Sequence, residues 1–457
     1  MGKYEVMCYT GIMDNEINPK PMSVPEPQKE IATAFKSDSS IRTDGSENFL
    51  ELATRVRDAL TKQNSDLALS LMTLGALSLG SSDIHYDAHE LDIAVRMRID
   101  GRLATIFTLS HKEYKLVLER IKYKAELKIN ITHIPQDGKY RIIENGERID
   151  IRVSSLPTTY GESVVCRVLD SGKSIPPVEA LGFMWTAKRQ IDRAIEKKNG
   201  MILVTGPTGS GKTTTLYSLL SGLNTPEKKI ITLEDPIEYE LPGIVQSEVR
   251  EKDGYTYESG LKAVLRQDPD IVMIGEIRGI ETATIATQAS LTGHLVLSTL
   301  HTKNALETVE RLMNIGLQPY ILASSVDMII AQRLVRRICD HCRTSEPANP
   351  SQNAIIRTIM GNIGMHAVEK ANKEGFTLYR GAGCEHCNGT GYKGRMGIYE
   401  VLVFSDEVRD AIRSGASPRQ ILDIARKQDL VLMQEDGVLK AMRGKTSFEE
   451  VFGVLEM

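Results

Sequence analysis

Long apolar runs are missing from the sequence. Across its 457 residues, no stretch approaches the ~18 to 20 consecutive apolar residues that a membrane-spanning helix needs. The opening residues, MGKYEVMCYT, also lack the hydrophobic centre of a secretory signal peptide. Together the two absences predict a cytoplasmic protein.

A strong net charge is missing as well. The 56 Lys and Arg residues nearly balance 60 Asp and Glu residues, so the formal net charge is only -4. We therefore expect no overall attraction to nucleic acid or to anionic lipid. Aromatic residues are few, at 5%, but the hydrophobic share of 41% is that of an ordinary globular protein. A chain of this length predicts roughly two to four domains.

Cysteine is scarce, yet four of the six cysteines form two Cys-x-x-Cys pairs. These are Cys339 with Cys342 and Cys384 with Cys387, separated by 41 residues. In a reducing compartment such pairs indicate a metal site rather than disulfides. Four thiolates suit a closed, tetrahedral zinc site of the structural kind. A redox-active dithiol and unligated cysteines are the alternatives.

The first part of the chain divides into two predicted segments. Residues 1–47 are rich in Pro, Ser and charge without a periodic apolar face, which predicts a flexible segment. Residues 48–173 begin with apolar residues at helical spacing and continue with alternating strands. One strand pair is joined by Asp100-Gly101, a dipeptide that favours a tight hairpin turn. We expect an α+β domain with an antiparallel sheet.

The remainder, residues 178–457, reads as an α/β domain. Short apolar runs such as MILVTG, DIVMIGE and HLVLSTL alternate with helical segments, which predicts a parallel sheet covered by helices on both faces. Within this domain, residues from about 336 to 400 are rich in Cys and Gly and would form the zinc-binding subdomain. Residues 401–457 return to helical spacing.

The predicted strand MILVT runs directly into a phosphate-binding loop of the pattern GxxxxGK[ST]. Glycines would let the backbone curl so that its N–H groups converge on phosphate, while the following helix adds its positive end. Lys212 would reach the β- and γ-phosphates and Thr213 would bind Mg²⁺. A glycine-rich turn without a nucleotide is the alternative. The predicted ATP-binding residues are Gly206, Pro207, Thr208, Gly209, Ser210, Gly211, Lys212, Thr213 and Thr214.

Carboxylates follow two other predicted strands. Glu234, Asp235 and Glu238 follow the apolar run KIITL, and Glu276 ends the run DIVMIGE. Because ligands of α/β proteins bind at the carboxyl edge of the sheet, these acids are candidates for holding Mg²⁺ and orienting water. Solvated loop acids are the alternative.

Two histidines bracket the strand-like segment TGHLVLSTLHT. His294 and His301 are separated by seven positions, an odd offset that puts them on opposite faces of a regular strand. They are therefore not expected to bind one metal ion. A structural role is the ordinary interpretation of either residue alone.

The order of these motifs is more specific than a phosphate-binding loop by itself. GPTGSGKTT, ITLEDPIEY, LRQDPDIVMIGEIR, TGHLVLSTLHT and the paired Cys-x-x-Cys motifs follow one another along the chain. In this the sequence resembles the secretion ATPase superfamily, and specifically the assembly ATPases of type II secretion systems and type IV pili. The resemblance runs from about Ser82 to the C-terminus. It implies a RecA-like ATPase domain preceded by a PAS-like α+β domain.

Several roles are implied by this resemblance alone. Glu276 would assist Mg²⁺ and water, Glu238 is the first candidate for the general base, and His301 or His294 would sense the γ-phosphate. The N-terminal domain would supply arginines to the nucleotide, and Arg152 and Arg167 match. Arg278 and Arg311 would act at the nucleotide or a subunit contact. The sequence departs from the family at Gly279, where Asp is typical, and at Lys303-Asn304, where Asn-Asp is usual.

The resemblance implies a homohexamer that docks on an inner-membrane platform protein and powers assembly of a pilus or pseudopilus. The cofactors would be ATP, Mg²⁺ and structural zinc, with the protein held peripherally at the inner membrane and no nucleic acid expected. A nucleic-acid-translocating ATPase and a non-hydrolysing assembly scaffold are the competing interpretations. Pilus assembly and type II secretion share these motifs and are not separated by them.

Overall fold

The computed structural model describes residues 49–144, 147–170, 175–363 and 375–455. The predicted flexible segment 1–47 lies outside the described residues. No helix in these ranges is both long enough and apolar enough to cross a membrane.

The N-terminal unit contains an antiparallel six-stranded sheet and three helices, as expected for an α+β domain. Its sheet has the order β3-β2-β1-β6-β5-β4. Its elements are α1 (Phe49–Thr61), α2 (Ser65–Ser78), β1 (Ser81–Ala88), β2 (Ile93–Ile99), β3 (Arg102–Leu109), α3 (His111–Lys124), β4 (Gln136–Glu144), β5 (Glu147–Thr158) and β6 (Gly161–Asp170).

Local sequence explains these elements. In α1 the buried residues recur at helical spacing, so one stripe faces the core. Helix α3 begins at a capping box in which the Ser110 hydroxyl accepts from the Glu113 N–H and the Glu113 carboxylate accepts from the Ser110 N–H. Asp100 and Gly101 both adopt positive φ, at 49° and 87°, and close the predicted β2–β3 hairpin.

The second unit is built on a seven-stranded sheet of order β15-β12-β7-β11-β10-β8-β9. Neighbouring strands are parallel except β15, which is antiparallel to β12. The strands are β7 (Gly200–Thr205), β8 (Ile230–Glu234), β9 (Val245–Glu248), β10 (Ile271–Ile274), β11 (Leu295–Leu300), β12 (Val326–Ile338) and β15 (Tyr392–Val403). A separate antiparallel pair consists of β13 (Arg343–Pro347) and β14 (Thr377–Gly381).

Helices cover both faces of this sheet. Alternate residues of β7 belong to hydrophobic cores on opposite faces of the sheet. Met201 and Leu203 lie in one core, and Ile202 and Val204 lie in the other. The helices are α4 (Trp185–Ile195), α5 (Lys212–Leu223), α6 (Tyr257–Val264), α7 (Ile280–Leu291), α8 (Ala305–Asn314), α9 (Pro319–Ser325), α10 (Pro350–Asn362), α11 (Asp406–Arg413), α12 (Pro418–Arg426), α13 (Met433–Met442) and α14 (Phe448–Leu455).

Two long strands, β12 and β15, were not predicted from the sequence. They pair along most of their length, from Met328 opposite Val403 to Ile338 opposite Tyr392. The cysteine- and glycine-rich segment predicted as a subdomain thus connects two strands of the main sheet. Its first cysteine directly follows β12, and its second pair lies just before β15.

The parallel strands place the predicted motifs together. The carboxyl ends of β7, β8, β10 and β11 meet at one edge of the sheet. The phosphate-binding loop follows β7, Glu234 ends β8, Glu276 follows β10 closely, and His301 follows β11. This edge is therefore the place to look for a functional site.

Candidate nucleotide site and four-cysteine cluster

The phosphate-binding loop joins β7 to α5 and depends on glycine geometry. Gly206, Gly209 and Gly211 have φ angles of 154°, 78° and 87°, a region that residues with a Cβ rarely occupy. A Cβ at Gly206 would also lie 2.5 Å from the backbone oxygen of Gln332. Gly211 caps α5, so the helix begins at Lys212 with its N-terminal N–H groups at the loop. Loop and helix end together make an anion-binding geometry.

Lys212 lies over the loop. Its Nζ donates to the carbonyl oxygens of Gly206 at 2.9 Å and Pro207 at 3.2 Å, and lies 3.5 Å from His301 Nδ1. Burial, with a smaller contribution from the Arg333 charge, lowers the pKa of Lys212 to about 8, while Glu276 acts in the opposite direction. The ammonium therefore holds its proton less tightly than an exposed lysine does.

Glu276 contacts both His301, which lies beside Lys212, and Arg278. Its Oε2 lies 3.4 Å from His301 Nε2, and Arg278 Nε donates to its Oε1 at 2.7 Å. A second nitrogen of Arg278 lies 3.5 Å from Asp235 Oδ2. Burial and the neighbouring Lys212 charge lower the pKa of His301, which favours the neutral ring. Four of the predicted residues thus form one cluster with the lysine.

Glu238 contacts the N-terminal unit. Its Oε2 lies 3.3 Å from Arg152, whose guanidinium also donates to the backbone oxygen of Ile237 at 3.1 Å. Arg152 is on the polar face of β5, as the sequence pattern indicates, and reaches out of its sheet to the loop after β8. The guanidinium and the carboxylate predicted for catalysis are therefore ion-paired to each other.

The four paired cysteines form a compact cluster. Their Sγ atoms all lie within 4.8 Å of one another. The separations between Cys339 and Cys384 and between Cys342 and Cys387 are both 3.8 Å. A tetrahedral zinc ion with Zn–S bonds of about 2.3 Å requires sulfur atoms about 3.8 Å apart. The described residues therefore fit a zinc ion in both donor type and spacing.

Backbone groups support this cluster from outside. The N–H groups of Cys384 and Gly391 both donate to Cys387 Sγ at 3.2 Å. Burial alone would raise the pKa of this thiol, but these backbone bonds lower it to about 7. Thiolate is the form that binds metal, so these backbone bonds favour the ligating state of Cys387, whereas burial raises the pKa of Cys339 and of Cys342.

Comparison with known proteins identifies the family. The sequence profile described as "Type II/IV secretion system protein" matches residues 64–453. The chain is 46% identical over 388 residues to type II secretion system protein E of Dickeya dadantii, covering 84% of this chain and 74% of that protein. It is 44% identical over 371 residues to the type IV pilus assembly ATPase PilB of Thermus thermophilus, covering 81% of this chain.

The chain belongs to the type II/IV secretion system protein family. It spans 41% of the length of the Thermus protein. Among solved structures, the pilus retraction motor PilT with bound ADP is 26% identical, with a TM-score of 0.55 over 84% of this chain and 96% of that one. The ATPase DotB of Legionella pneumophila, at 23% identity and a TM-score of 0.61, covers 84% of this chain and 94% of its own and supports the fold.

Membership in this ATPase family bears out the predicted fold class and the predicted hydrolysis of ATP. Family membership does not assign roles to individual residues, and the structure brings only some of the predicted site residues together.

Glu234 was predicted as a catalytic acid, but its carboxylate is bonded within the protein. It is buried, and its oxygens accept from Thr232 at 2.6 Å, from Gln246 at 3.2 Å and from the Tyr217 hydroxyl. The same Tyr217 oxygen accepts from the N–H of Glu238 at 3.4 Å. With both oxygens engaged by the protein, Glu234 supports the loop that carries Glu238.

His294 lies away from the loop. It precedes β11, and its backbone oxygen accepts from Gly200 at the start of β7. The six residues of β11 separate this edge from the phosphate-binding loop by about 20 Å. Its Nδ1 lies 3.0 Å from the backbone oxygen of Ala289. Within one chain His294 therefore does not reach the nucleotide site, in contrast to the expectation.

Two arginines also lie outside the cluster. Arg167 is opposite Arg152 across the β5–β6 pair but is bonded to Asp83 at 3.0 Å. Arg311 is exposed in the last turn of α8. Neither contacts the loop in this conformation.

Some site residues were missed by sequence reasoning. Tyr217 is fully buried beneath the acidic loop, and Gln332 and Arg333 on β12 lie beside the phosphate-binding loop. The hydroxyl of Thr302 bonds to those of Thr205 and Thr308, each at 2.6 Å, and joins the end of β7 to α8. The signal in the sequence is a polar residue next to an apolar run, which belongs to no recognised motif.

Proposed function

We propose that this secretion ATPase works as a homohexamer that docks on an inner-membrane platform protein and drives assembly of a type IV pilus or a type II secretion pseudopilus. The relatives' printed names, pilus assembly ATPase and type II secretion protein E, support this function. The observation that supports the ATP-hydrolysing part of this function is the convergence of Lys212, Glu276 and His301 at the carboxyl edge of the sheet.

At this site the chain's own groups would bind and orient Mg-ATP. The N–H groups between Gly206 and Thr214 and the Lys212 ammonium hold the phosphates. Thr213, Asp235 and Glu276 offer oxygen donors of the type that Mg²⁺ prefers. When bound, Mg²⁺ neutralises charge that develops on the phosphates.

Glu238 is our candidate for the general base, with Glu276 and the neutral His301 ring positioning the attacking water. In the present conformation Arg152 holds Glu238. A γ-phosphate would compete for that guanidinium, which frees the carboxylate to accept a proton from water. Arg152 then stabilises transition-state charge from the N-terminal unit. This exchange couples hydrolysis to the relative position of the two units.

The four-cysteine cluster would hold structural zinc through Cys339, Cys342, Cys384 and Cys387. With all four coordination positions filled by protein, the ion would stabilise the fold and take no part in hydrolysis. We place the protein in the cytoplasm, held at the inner membrane through its partners.

A complementation experiment tests the proposed function. In the source organism with its own gene deleted, the native chain should restore surface fibres or secreted protein, and the Glu276→Gln variant should not. Fibre assembly by a Glu276→Gln variant that does not hydrolyse ATP would contradict the proposal and favour a scaffold. Turnover stimulated by DNA would favour a nucleic-acid translocator. A membrane protein that co-purifies with the hexamer identifies the platform.

A further inference from the structure

Gln332 is a buried polar residue of β12 that directly follows the apolar run Met328–Ala331. This strand runs parallel to β7, with Ala331 opposite Thr205, so Gln332 is level with the start of the phosphate-binding loop. Its side chain is only 1% exposed. A buried amide is costly unless both its donor and its acceptor are bonded.

Both ends of this amide are bonded to the loop region. Gln332 Nε2 donates to the backbone oxygen of Ser210 at 2.7 Å, and Oε1 accepts from the Thr215 hydroxyl at 2.8 Å. Ser210 precedes Lys212 and Thr215 follows it, so the amide spans the segment predicted to hold the phosphates. Gln332 packs closely against the loop, since a Cβ added at Gly211 would lie 3.3 Å from Gln332 Nε2.

The bond to Ser210 has a geometric consequence. Because the peptide unit is planar, fixing the Ser210 carbonyl also fixes the direction of the Gly211 N–H. That N–H belongs to the group expected to point at phosphate. The bond to Thr215 likewise holds the first turn of α5, whose N–H groups face the same ligand.

We propose that Gln332 is a positioning residue that orients the phosphate-binding loop for ATP. This inference rests on the proposed role of the loop. The amide is needed because it both donates and accepts, whereas an ionised carboxylate only accepts and an aliphatic side chain does neither. Gln332 acts through Ser210 and Thr215 and does not itself contact the nucleotide.

The test compares Gln332→Met with Gln288→Met in the purified full chain. Methionine keeps the length of the side chain and removes both hydrogen bonds, and Gln288 is an exposed glutamine on α7 that makes a matched control. We expect Gln332→Met to raise KM for ATP about tenfold, the combined net effect of the two lost hydrogen bonds, and to weaken ADP binding similarly. The Gln288→Met variant should keep the parent values.

The split between KM and kcat separates positioning from a purely structural role. Loss of folded protein lowers the apparent kcat in proportion and leaves KM unchanged. A Gln332→Met variant with KM within twofold of the parent would overturn the proposal. Gln332→Glu, which keeps the acceptor for Thr215 but loses the donor to Ser210, should also raise KM. If neither variant folds, the amide serves the fold and the proposal is wrong.

The Lys212→Ala variant separates a failure of this inference from a failure of the proposed function. If Lys212→Ala still hydrolyses ATP, the loop is not the nucleotide site and both ideas fail. If Lys212→Ala is inactive while Gln332→Met is normal, only the inference about Gln332 fails.

Discussion

At the scale of single residues, the site changes the acidity of the Lys212 ammonium. Its pKa of about 8, set mainly by burial, means that the free site loses this proton well below the ordinary lysine range. An uncharged amine attracts phosphate less, so nucleotide capture becomes pH-dependent near neutrality.

We therefore predict that kcat/KM for ATP falls as the pH rises through about 8, because kcat/KM reports groups of the free enzyme. The measurement is a pH profile of steady-state hydrolysis from pH 6.5 to 9.5. His301→Gln should keep this upper limb, since that ring titrates at lower pH. A profile that stays flat to pH 9.5 would contradict the assignment to Lys212.

A second residue-scale prediction concerns Glu238. If its carboxylate is the general base, Glu238→Gln should lower kcat by about 10² to 10⁴-fold while ATP still binds. Exposed Glu240 in the same loop provides the control, because Glu240→Gln makes the same chemical change beside the site. Single-turnover hydrolysis with nucleotide-binding measurements checks both variants. An active Glu238→Gln enzyme would move the base role to another acid.

At the scale of secondary-structure elements, the strands of the parallel sheet that were predicted from the sequence are those followed by a recognisable motif. β7, β8, β10 and β11 are short apolar runs followed by recognisable loops, and the parallel sheet follows from their alternation with helices. β12 and β15 were missed because their charged and glycine residues, such as Arg336 and Gly397, interrupt the apolar pattern. Only pairing with each other and with β7 makes them strands.

The same reasoning explains which site residues were found. Lys212 and Glu276 stand in local motifs whose geometry is fixed by the adjacent strand. In the sequence Glu234 is not distinguishable from Glu238, because only the structure shows that Tyr217 and Gln246 bond the oxygens of Glu234. His294 directly precedes β11, at the end away from the phosphate-binding loop, and the sequence does not show which end of that strand carries the site. These distinctions depend on tertiary contacts.

We expect zinc to stabilise the strand pair formed by β12 and β15. The cysteine cluster follows β12 and precedes β15, so its loss should loosen the ends of that strand pair. We predict about one zinc per chain, and for Cys384→Ser a loss of zinc together with a lower thermal midpoint. Metal analysis and thermal melts measure both. The control Cys166→Ala should retain zinc, and a zinc-free native chain with an unchanged melt would contradict this role.

At the scale of the whole molecule, side chains of the N-terminal unit contact the second unit. Besides Arg152 at the nucleotide loop, the β2–β3 turn reaches the region of the cysteine cluster. Asp100 accepts from the Gly394 N–H at 2.8 Å, and Arg102 donates to Glu450 at 2.8 Å. A change in the relative position of the two units, as proposed above for hydrolysis, would break or remake these contacts.

Glu450 should make this contact pH-dependent. Burial raises its pKa, but bonding to Arg336 and the charge of Arg102 outweigh that effect and lower it below 4.5. A depressed carboxyl pKa contributes stability that is present above the unfolded value and is lost as the pH falls through the folded value. Glu450→Gln should therefore destabilise the chain at pH 7 and have a smaller effect at pH 4. Chemical denaturation at both pH values checks this, and equal effects would contradict it.

If the loop from Gly206 to Thr214 is the site of ATP hydrolysis, activity depends on Lys212. The direct measurement is phosphate release by the purified chain, compared with Lys212→Ala and with Lys228→Ala, an exposed lysine in the loop before β8. We predict Mg²⁺-dependent hydrolysis that Lys212→Ala abolishes and Lys228→Ala preserves. Near-normal hydrolysis by folded Lys212→Ala would contradict it.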